Sequence, residues 1–406
     1  MKTQLLEIFI KKYCKLLIVF FIVTSAVQCK VDTSDEKSLI RGCNKFGDDI
    51  YKEVAKHKGN VVFSPFALHS SMALLTMGAS GNTLKELLFK LSLNNVHNFK
   101  KGYETLIKRI QNESFHVANN LYISKKLYFL EKYRNEARHF FKAKPVKLDF
   151  TKQARATAII NKWVAEQTNK SIDKIVDVDS FDSHTALILL NAIYFKGEWE
   201  TKFDEAQTLE NYVFHTSTGE TFCSMMFMKP SQHNILFTDK YSILTLPFHK
   251  SNIKIAFIKV GPKNITISAL EEIFSSKRFF QAISQLRPKN AIIKIPKFNI
   301  STNYELNKHL SSVGISNIFK SPSFSNLFRK NVLVSVDTVN QKSLLEINEN
   351  GVKAAATTQI RMRVRAAPLI HKFYLDSPFL FFIYDSKDEL IIFRGRIENP
   401  IESENK

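Results

Sequence analysis

Residues 352–365 read Val-Lys-Ala-Ala-Ala-Thr-Thr-Gln-Ile-Arg-Met-Arg-Val-Arg, and small or apolar side chains alternate there with basic or polar ones. A period of two is typical of a strand with one buried face, but strands usually run to about five or six residues. The inward face would carry Val352, Ala354, Ala356, Thr358, Ile360, Met362 and Val364, and the outward face Lys353, Ala355, Thr357, Gln359, Arg361, Arg363 and Arg365. The pattern leaves two interpretations open: an ordinary long edge strand, or a strand held in reserve outside a sheet.

The sequence on both sides is also β-like. Residues 334–351 form a run rich in Val, Thr and Ile, and Phe379–Ile383 and Glu389–Phe393 resemble the two strands of a hairpin. Helical periodicity is concentrated in the N-terminal half, at about 38–56, 65–80, 83–92, 98–111, 131–141 and 152–168. Further strands are predicted at about 117–124, 186–195, 234–247, 253–260, 291–298 and 331–347. This order predicts an α+β fold rather than a regular βαβ alternation.

Several motifs make the chain resemble the serpins, the serine protease inhibitor superfamily. They occur in family order from about residue 40 to residue 400. The most specific is Asn191-Ala-Ile-Tyr-Phe-Lys-Gly-Glu-Trp199, followed by Phe203. The others are Asn60–Ala67 with Gly78–Thr83, Asn161–Val164 with Thr168 and Ile172, Glu346–Gly351 with Ala354–Ala356, and Phe393–Arg396 with Pro400.

The resemblance implies a single serpin domain over residues 30–406, with three β-sheets, about nine helices and an exposed reactive-centre loop at about 350–370. It also implies suicide inhibition: a protease cuts the loop, and the freed segment inserts as a strand into the main sheet. The hinge of that loop would be Glu349, Gly351, Val352, Ala354, Ala355, Ala356, Thr357 and Thr358. Val352 and Lys353 depart from the usual hinge residues and Ser377 from a usual basic residue, but an apolar inward Val and a solvated outward Lys fit a strand.

Loop spacing in the family places the scissile bond between Arg365 and Ala366. An arginine at this position implies a trypsin-like serine protease as the covalent partner, because the guanidinium pairs with a carboxylate in the specificity pocket. Arg363 and Arg361 are alternative cleavage sites.

Small hinge residues favour an inhibitor, because the inserting segment must fit between packed strands. Serpins that do not inhibit usually carry bulky, charged or proline residues there. The alternative is a non-inhibitory serpin that acts as a carrier, a storage protein or a decoy substrate.

Residues 1–29 resemble a signal peptide, with Lys11, Lys12 and Lys15 close before the apolar run Leu16–Val23 and a small-residue tail ending at Cys29. The run is shorter than the roughly 20 residues that span a bilayer, which favours cleavage over a membrane anchor. We therefore expect a secreted, extracellular protein with no membrane association after cleavage. Two cysteines, Cys43 and Cys223, would remain, and free or buried thiols are expected. Secretion would expose four glycosylation motifs, at Asn112, Asn169, Asn264 and Asn299.

The chain is strongly basic, with a formal net charge of +20. Residues 1–29 carry four lysines and one glutamate, so the chain without them carries +17. One predicted helix contains the four cations Lys100, Lys101, Lys108 and Arg109. These residues could bind a heparin-like polysaccharide, or they could form a solvated helix face balanced by Glu104.

Motifs of other function classes are not found. Gly78-Ala-Ser-Gly81 is not a nucleophile elbow, and the chain has no His-Glu-x-x-His and no phosphate-binding loop. We expect no enzyme activity, no metal, no other cofactor and no nucleic-acid partner, and we expect a monomer.

Overall fold

The computed structural model describes residues 33–402 except 112–114, 264, 330–331 and 351–368. Two short 3-10 helices, Val178–Ser180 and Glu205–Gln207, accompany the regular elements. The α-helices in these residues are α1 Thr33–Val54, α2 Pro65–Thr76, α3 Gly81–Lys90, α4 Phe99–Gln111, α5 Glu131–Phe141, α6 Gln153–Gln167, α7 Ile267–Ile273, α8 Ser276–Ile283, α9 Asn307–Ser312 and α10 Asn317–Lys320. The strands are β1 Val61–Phe63, β2 Phe115–Ser124, β3 Val146–Leu148, β4 Leu187–Phe195, β5 Leu209–Thr216, β6 Gly219–Phe237, β7 Tyr241–Pro247, β8 Ile253–Val260, β9 Arg287–Pro296, β10 Phe298–Glu305, β11 Thr338–Ile347, β12 His371–Tyr374, β13 Phe379–Asp385 and β14 Leu390–Ile397.

One sheet has five strands in the order β10-β11-β4-β2-β3. Its central strand β4 is buried along its whole length, as its sequence, apolar except for Asn191, predicts. β11 pairs with β10 in antiparallel fashion but with β4 in parallel. A parallel pair therefore lies inside this sheet.

The second sheet has nine strands, in the order β1-β14-β13-β8-β7-β6-β9-β12 with β5 also on β6. β6 spans 19 residues, and its register with β9 shifts between Met228 and Ser231. Its earlier part pairs with β5 and β9, and its last residues pair with β7. The sheet thus has two parts joined through β6, which together with the five-stranded sheet account for the three predicted sheets.

Helix α2 lies in the core, where it contacts strands of both sheets. Ser64 caps it by accepting a hydrogen bond from the Ala67 amide at 3.2 Å, and Pro65 occupies its first turn. All twelve residues of α2 are buried. A helix that is largely apolar on every side is expected in such a position.

The α+β class is confirmed, with ten α-helices in the described residues where about nine were expected. The predicted strand 331–347 is confirmed only from Thr338 onward, because β11 begins there. The main difference concerns the predicted strand 234–247. A turn at residues 238–240 divides it between β6 and β7, and β6 extends back to Gly219. That extension was not predicted because its exposed residues lack an apolar alternation.

Among the described residues, Cys43 and Cys223 are free and buried, as predicted for these two thiols. Burial raises the pKa of both thiols, to about 11 for Cys223. Within the described part of the chain, no helix has the length and apolar character needed to cross a membrane.

Candidate functional site: the seam between β4 and β11

The parallel pair β4 and β11 forms a seam at which the five-stranded sheet could accept another strand. The pairing runs from Thr338 opposite Ile188 to Leu345 opposite Phe195. A segment that leaves the end of β11 and turns back would run antiparallel to both strands. Its entry would replace one parallel pairing with two antiparallel ones, which are slightly more stable per residue.

A buried amide lies at the middle of this seam. Gln341 of β11 donates from Nε2 to Asn191 Oδ1 of β4 at 2.8 Å and to the Ser64 carbonyl at 3.0 Å. Its Oε1 accepts from the Ser64 amide at 3.0 Å. All three residues are buried. These bonds connect both strands of the seam to the start of α2.

The hydrogen bonds continue across β4 to β2. Asn191 donates from Nδ2 to Asn119 Oδ1 at 2.6 Å, and Ser71 Oγ donates to the same oxygen at 2.6 Å. Asn119 in turn donates to Ser70 Oγ at 2.8 Å. The cost of removing these polar groups from water is offset only when they hydrogen-bond to one another. Because the bonds form in one arrangement of the strands, the network specifies how β2, β4 and β11 lie over α2.

The opposite face of the sheet is covered by apolar side chains of α6. Ile160 and Val164 of this helix belong to the same buried cluster as Ile188 and Leu190 of β4. At the end of α6, Thr168 Oγ1 donates to the Val164 carbonyl at 2.7 Å. The two faces of the seam therefore differ in chemistry. The face toward α2 carries a buried amide network among apolar residues such as Leu189 and Val339, whereas the face toward α6 packs through apolar side chains.

Trp199 holds the end of β11, where the chain leads to Gly351. Its indole Nε1 donates to the Asn348 carbonyl at 2.7 Å, and its backbone amide donates to the Asn350 carbonyl at 3.0 Å. The Asn350 amide donates to Asn348 Oδ1 at 3.0 Å. The family motif ending at Trp199 thus contacts the residues directly before the predicted hinge.

Two acidic side chains extend these contacts. Glu346 forms an ion pair with Lys196 at 2.8 Å. Glu349 accepts from Thr208 Oγ1 at 2.7 Å and pairs with Lys297 at 3.1 Å. Burial acts to raise the pKa of the Glu349 carboxyl, but the hydrogen bonds and Lys297 outweigh it, so this pKa lies below its ordinary value.

Of the predicted hinge, only Glu349 is among the described residues. The remaining hinge residues, from Gly351 to Thr358, lie outside them, as do Arg361, Arg363, Arg365 and Ala366. After the loop, Leu369 is exposed, and the chain continues into β12, which pairs with β9 in parallel. The predicted loop therefore connects the five-stranded sheet to the end of the nine-stranded one.

The four cations proposed for polysaccharide binding all lie on α4, but three of them have acidic partners. Their contacts are Lys100 to Glu136 at 3.1 Å, Lys101 to Glu104 at 2.7 Å, and Arg109 to Glu36 at 2.8 Å and to Asp388 at 2.9 Å. Lys108 is exposed and has no ion pair with a described residue. An added anion would have to compete with these carboxylates.

Two of the glycosylation motifs fall on exposed, described positions. Asn169 follows α6 with a positive φ of 51°, and Asn299 lies on β10. Asn112 and Asn264 lie outside the described residues. Glycosylation stays a prediction at all four.

The seam residues Gln341 and Asn119 were not among the residues predicted to be functional. One signal was available for Gln341: it stands at a buried position of β11, in phase with Val339 and Leu345. An amide at an apolar position of a strand indicates a buried polar partner. The partners themselves are far away in sequence and could not be named.

Comparisons with known proteins give a consistent result. The model of the family described as serpin (serine protease inhibitor) matches residues 41–400. Serpin B6 of Macaca fascicularis is 29% identical over 372 residues, covering 87% of this chain and 97% of the relative. The leukocyte elastase inhibitor of Xenopus tropicalis is 27% identical over 380 residues, covering 90% and 100%. The crystal structure of native protease nexin-1 with heparin superimposes with a TM-score of 0.82 at 26% identity, covering 90% of this chain and 100% of that one.

Proposed function

Because the chain belongs to the serpin family, we propose that it is a secreted, monomeric suicide inhibitor of a trypsin-like serine protease. The observation that carries the proposal is the parallel seam of β4 and β11, because β11 leads in sequence to the alternating segment 352–365. A relative of this chain is named as an inhibitor of leukocyte elastase. The arginine at position 365 supports a protease of trypsin-like rather than elastase-like preference.

In the proposed mechanism the protease serine attacks the carbonyl carbon of Arg365. The bond to the Ala366 nitrogen breaks, the new amine leaves with a proton, and Arg365 remains as an ester on the protease. The segment freed from Ala366 enters the seam with Ala354 and Ala356 on its inward face. The complex of protease and serpin persists if insertion of the freed segment is faster than hydrolysis of the ester. Insertion of a cleaved serpin loop as an added strand of a sheet is an established process.

The test is to mix the chain lacking residues 1–29 with trypsin and to analyse the products on a denaturing gel. A complex that survives denaturation, with a released C-terminal fragment starting at Ala366, is the expected result. Cleavage without a complex would contradict inhibition and leave a non-inhibitory serpin. A fragment starting at Met362 or Val364 would move the scissile bond to Arg361 or Arg363.

A pair of variants separates insertion from cleavage. We expect Ala354→Arg to be cut without forming a complex, because the arginine would have to enter the packed inward face. Ala355→Arg is the matched control and should still trap trypsin, since residue 355 belongs to the outward face. Equal trapping by both variants would contradict the assigned faces.

A further inference from the structure

Two histidines from distant parts of the chain meet beside the end of α1. His57 lies in the turn that follows α1 and is exposed, and His309 lies on α9 and is half-buried. Their Nε2 atoms are 3.1 Å apart, and the planes of the two rings differ by 25°. Because the two residues are 252 positions apart in the sequence, no motif indicates this pair.

The backbone and the ring of His57 are held in place by neighbours. The Arg396 guanidinium donates to the His57 carbonyl, and the His57 amide donates to the Val54 carbonyl at 3.1 Å. The Tyr304 ring of β10 packs against the His57 ring, with 5.2 Å between the ring centres. A ligand group that is positioned before binding loses less conformational entropy when it binds.

The distance between the two nitrogens fits a shared metal ion. A zinc ion lies about 2.0–2.1 Å from an imidazole nitrogen, which places two such nitrogens roughly 2.9 Å apart at a right angle and roughly 3.4 Å apart at the tetrahedral angle. The distance of 3.1 Å lies between these values. As a hydrogen bond, the pair holds one proton, since one Nε2 must donate and the other accept. A metal ion would take the place of this proton, and the donating ring would change to the tautomer that is protonated at Nδ1.

We propose that His57 and His309, here called the histidine pair, bind one divalent transition-metal ion of the kind that prefers imidazole, such as zinc. Imidazole nitrogen suits zinc, copper and nickel, whereas magnesium and calcium prefer oxygen ligands. In the described part of the chain, no group of three or more His, Cys, Asp or Glu side chains could hold a metal. Water therefore supplies the other ligands, and the ion is exchangeable.

The charged groups next to the histidine pair oppose each other. Glu53, four residues before His57, forms an ion pair with Lys56 at 2.7 Å. Glu53 raises the pKa of His309 and Lys56 lowers it, although burial is the largest influence and also lowers it. Because the two charges act in opposite directions, the affinity for a cation must come from the imidazole nitrogens.

A bound ion would connect two parts of the fold. Asp48 of α1 pairs with Arg394 of the nine-stranded sheet at 2.7 Å. α9 follows β10, which pairs with β11 of the five-stranded sheet. The metal would thus link α1 to the β10 edge of the five-stranded sheet, and it would stabilise the folded chain by mass action.

The experiment is a calorimetric titration of the chain lacking residues 1–29, without a histidine tag, with zinc chloride at about pH 7.5, where free imidazole is neutral. We expect one ion per chain in the tightest step. His57→Gln and His309→Gln should each bind it at least about tenfold more weakly, because loss of even a group behind a metal ligand costs about 10- to 100-fold. His116→Gln removes an exposed histidine from β2 and should change the affinity by less than about twofold.

Thermal unfolding gives a second readout. Zinc should raise the unfolding midpoint of the unaltered chain and of His116→Gln, but not that of the two variants of the histidine pair. Far-ultraviolet circular dichroism checks that all three variants are folded.

Three results would overturn the proposal. One is the absence of zinc binding, which would leave the histidine pair as a hydrogen bond only. Another is a loss of affinity in His116→Gln as large as in the two variants of the pair. The third is binding of magnesium with the same affinity as zinc. The readouts are metal binding and unfolding, so their result is independent of whether the chain inhibits a protease.

Discussion

The two sheets of this protein differ in what holds their inner strands. In the nine-stranded sheet, β13 and β14 are buried at every residue, and two buried arginines connect β14 to the helices. Arg394 pairs with Asp48 of α1 at 2.7 Å, and Arg396 pairs with Glu271 of α7 at 2.7 Å. In the five-stranded sheet, a network of neutral amides and hydroxyls bridges β4, β11 and α2.

This difference bears on which sheet can open. Separating buried charges leaves each one desolvated and unpaired, which costs several kcal/mol. Neutral amides lose less when they change partners. Close packing adds to the contrast, because a Cβ atom at Gly395 of β14 would lie 1.8 Å from the Val61 carbonyl oxygen. We therefore expect β13, β14 and their contacts with α1 and α7, here called the fixed frame, to stay together. We expect the pairing of β4 with β11 at the seam to separate more easily.

The largest effect is expected from Arg396→Met in the frame. The arginine also donates to the Ala55 carbonyl at 2.9 Å and to the Gly59 carbonyl at 3.0 Å. Its loss removes the donor of these carbonyls and leaves the buried Glu271 carboxylate without its ion-pair partner, with only the hydrogen bond from Tyr51 Oη at 2.7 Å retained. We expect the free energy of unfolding to fall by about 3–5 kcal/mol in urea titrations.

Glu398→Gln is the control for this variant, because it removes the more exposed partner of Arg396. The Glu398→Gln substitution should lower the free energy of unfolding by less than about 1 kcal/mol. If Arg396→Met proves insoluble, Glu271→Gln tests the same pair from the other side. A loss below 1 kcal/mol in both variants of the pair would contradict the fixed frame.

The next effect depends on pH and concerns α2, which lies between the two sheets. His69 bonds the Leu91 carbonyl through Nε2 at 2.9 Å and meets the Tyr103 hydroxyl through Nδ1. Burial lowers the pKa of His69 to about 4, and it raises the pKa of the neighbouring Tyr103 and Cys43 groups, which stay neutral in acid. The unfolded histidine takes up a proton near pH 6.5, but the folded one does not until about pH 4.

The contribution of His69 to the free energy of unfolding is therefore fully present above pH 6.5. As the pH falls toward 4, the free energy of unfolding decreases by roughly 3 kcal/mol because of this group. Urea titrations across this range should show a steeper loss in the unaltered chain than in His69→Gln. Exposed His116→Gln should follow the unaltered chain. If the free energy of unfolding changed with pH in the same way in His69→Gln and in the unaltered chain, the loss of stability in acid would not be due to His69.

A smaller effect is expected from Gln341→Ala at the seam. The free energy of unfolding should fall by about 2 kcal/mol, because buried groups of Ser64 and Asn191 lose their hydrogen-bond partner. Hydrogen exchange should rise in the β4 and β11 amides but not in those of β13 and β14. Asn340→Ala, on the other face of β11, is the matched control and should leave the exchange of both sheets unchanged. Uniform exchange in both sheets of the Gln341 variant would show that the seam does not open separately.

The smallest effect is expected from Glu349→Gln at the end of β11. Its partner Lys297 is partly exposed, so the ion pair should contribute less than about 1 kcal/mol at neutral pH. Because the pKa of Glu349 is lowered in the fold, this contribution is present above the unfolded pKa of about 4.3 and disappears as the pH falls through the folded value. Thermal unfolding at pH 7 and pH 3 measures it. A loss as large as that of Arg396→Met would mean that the end of β11 belongs to the frame.

Long, strongly patterned elements could be predicted from the sequence. The Ser64-Pro65 pair marks the start of α2, and the apolar run at Leu187–Phe195 gives the buried strand β4. Helices α9 and α10 have six and four residues, too few for a helical period to be recognised. Strand β12, with four residues, is equally short.

Charge was the least predictable property of the surface. The sequence places four cations on α4, but the carboxylates that neutralise Arg109 come from α1 and from the turn after β13. The segment around α5, in contrast, has a clear signal in the sequence, because residues 125–147 contain eight lysines and arginines. What could not be read from that signal is that Arg138, Lys144 and Lys147 of this segment form no ion pair with a described residue, whereas Arg134 pairs with Glu131.

Local pattern was enough for the family, the long elements and the alternation of residues 352–365, because each depends on residues close together in the chain. The parallel seam, the Gln341 contacts and the ion pairs of Lys100 and Arg109 depend on residues at least 36 positions apart. The bond between Ser64 and Gln341 joins residues 277 positions apart. Such contacts form only when distant segments pack together. Hydrogen bonds and ion pairs act over a few ångströms, so the folded chain alone decides which polar groups find a partner.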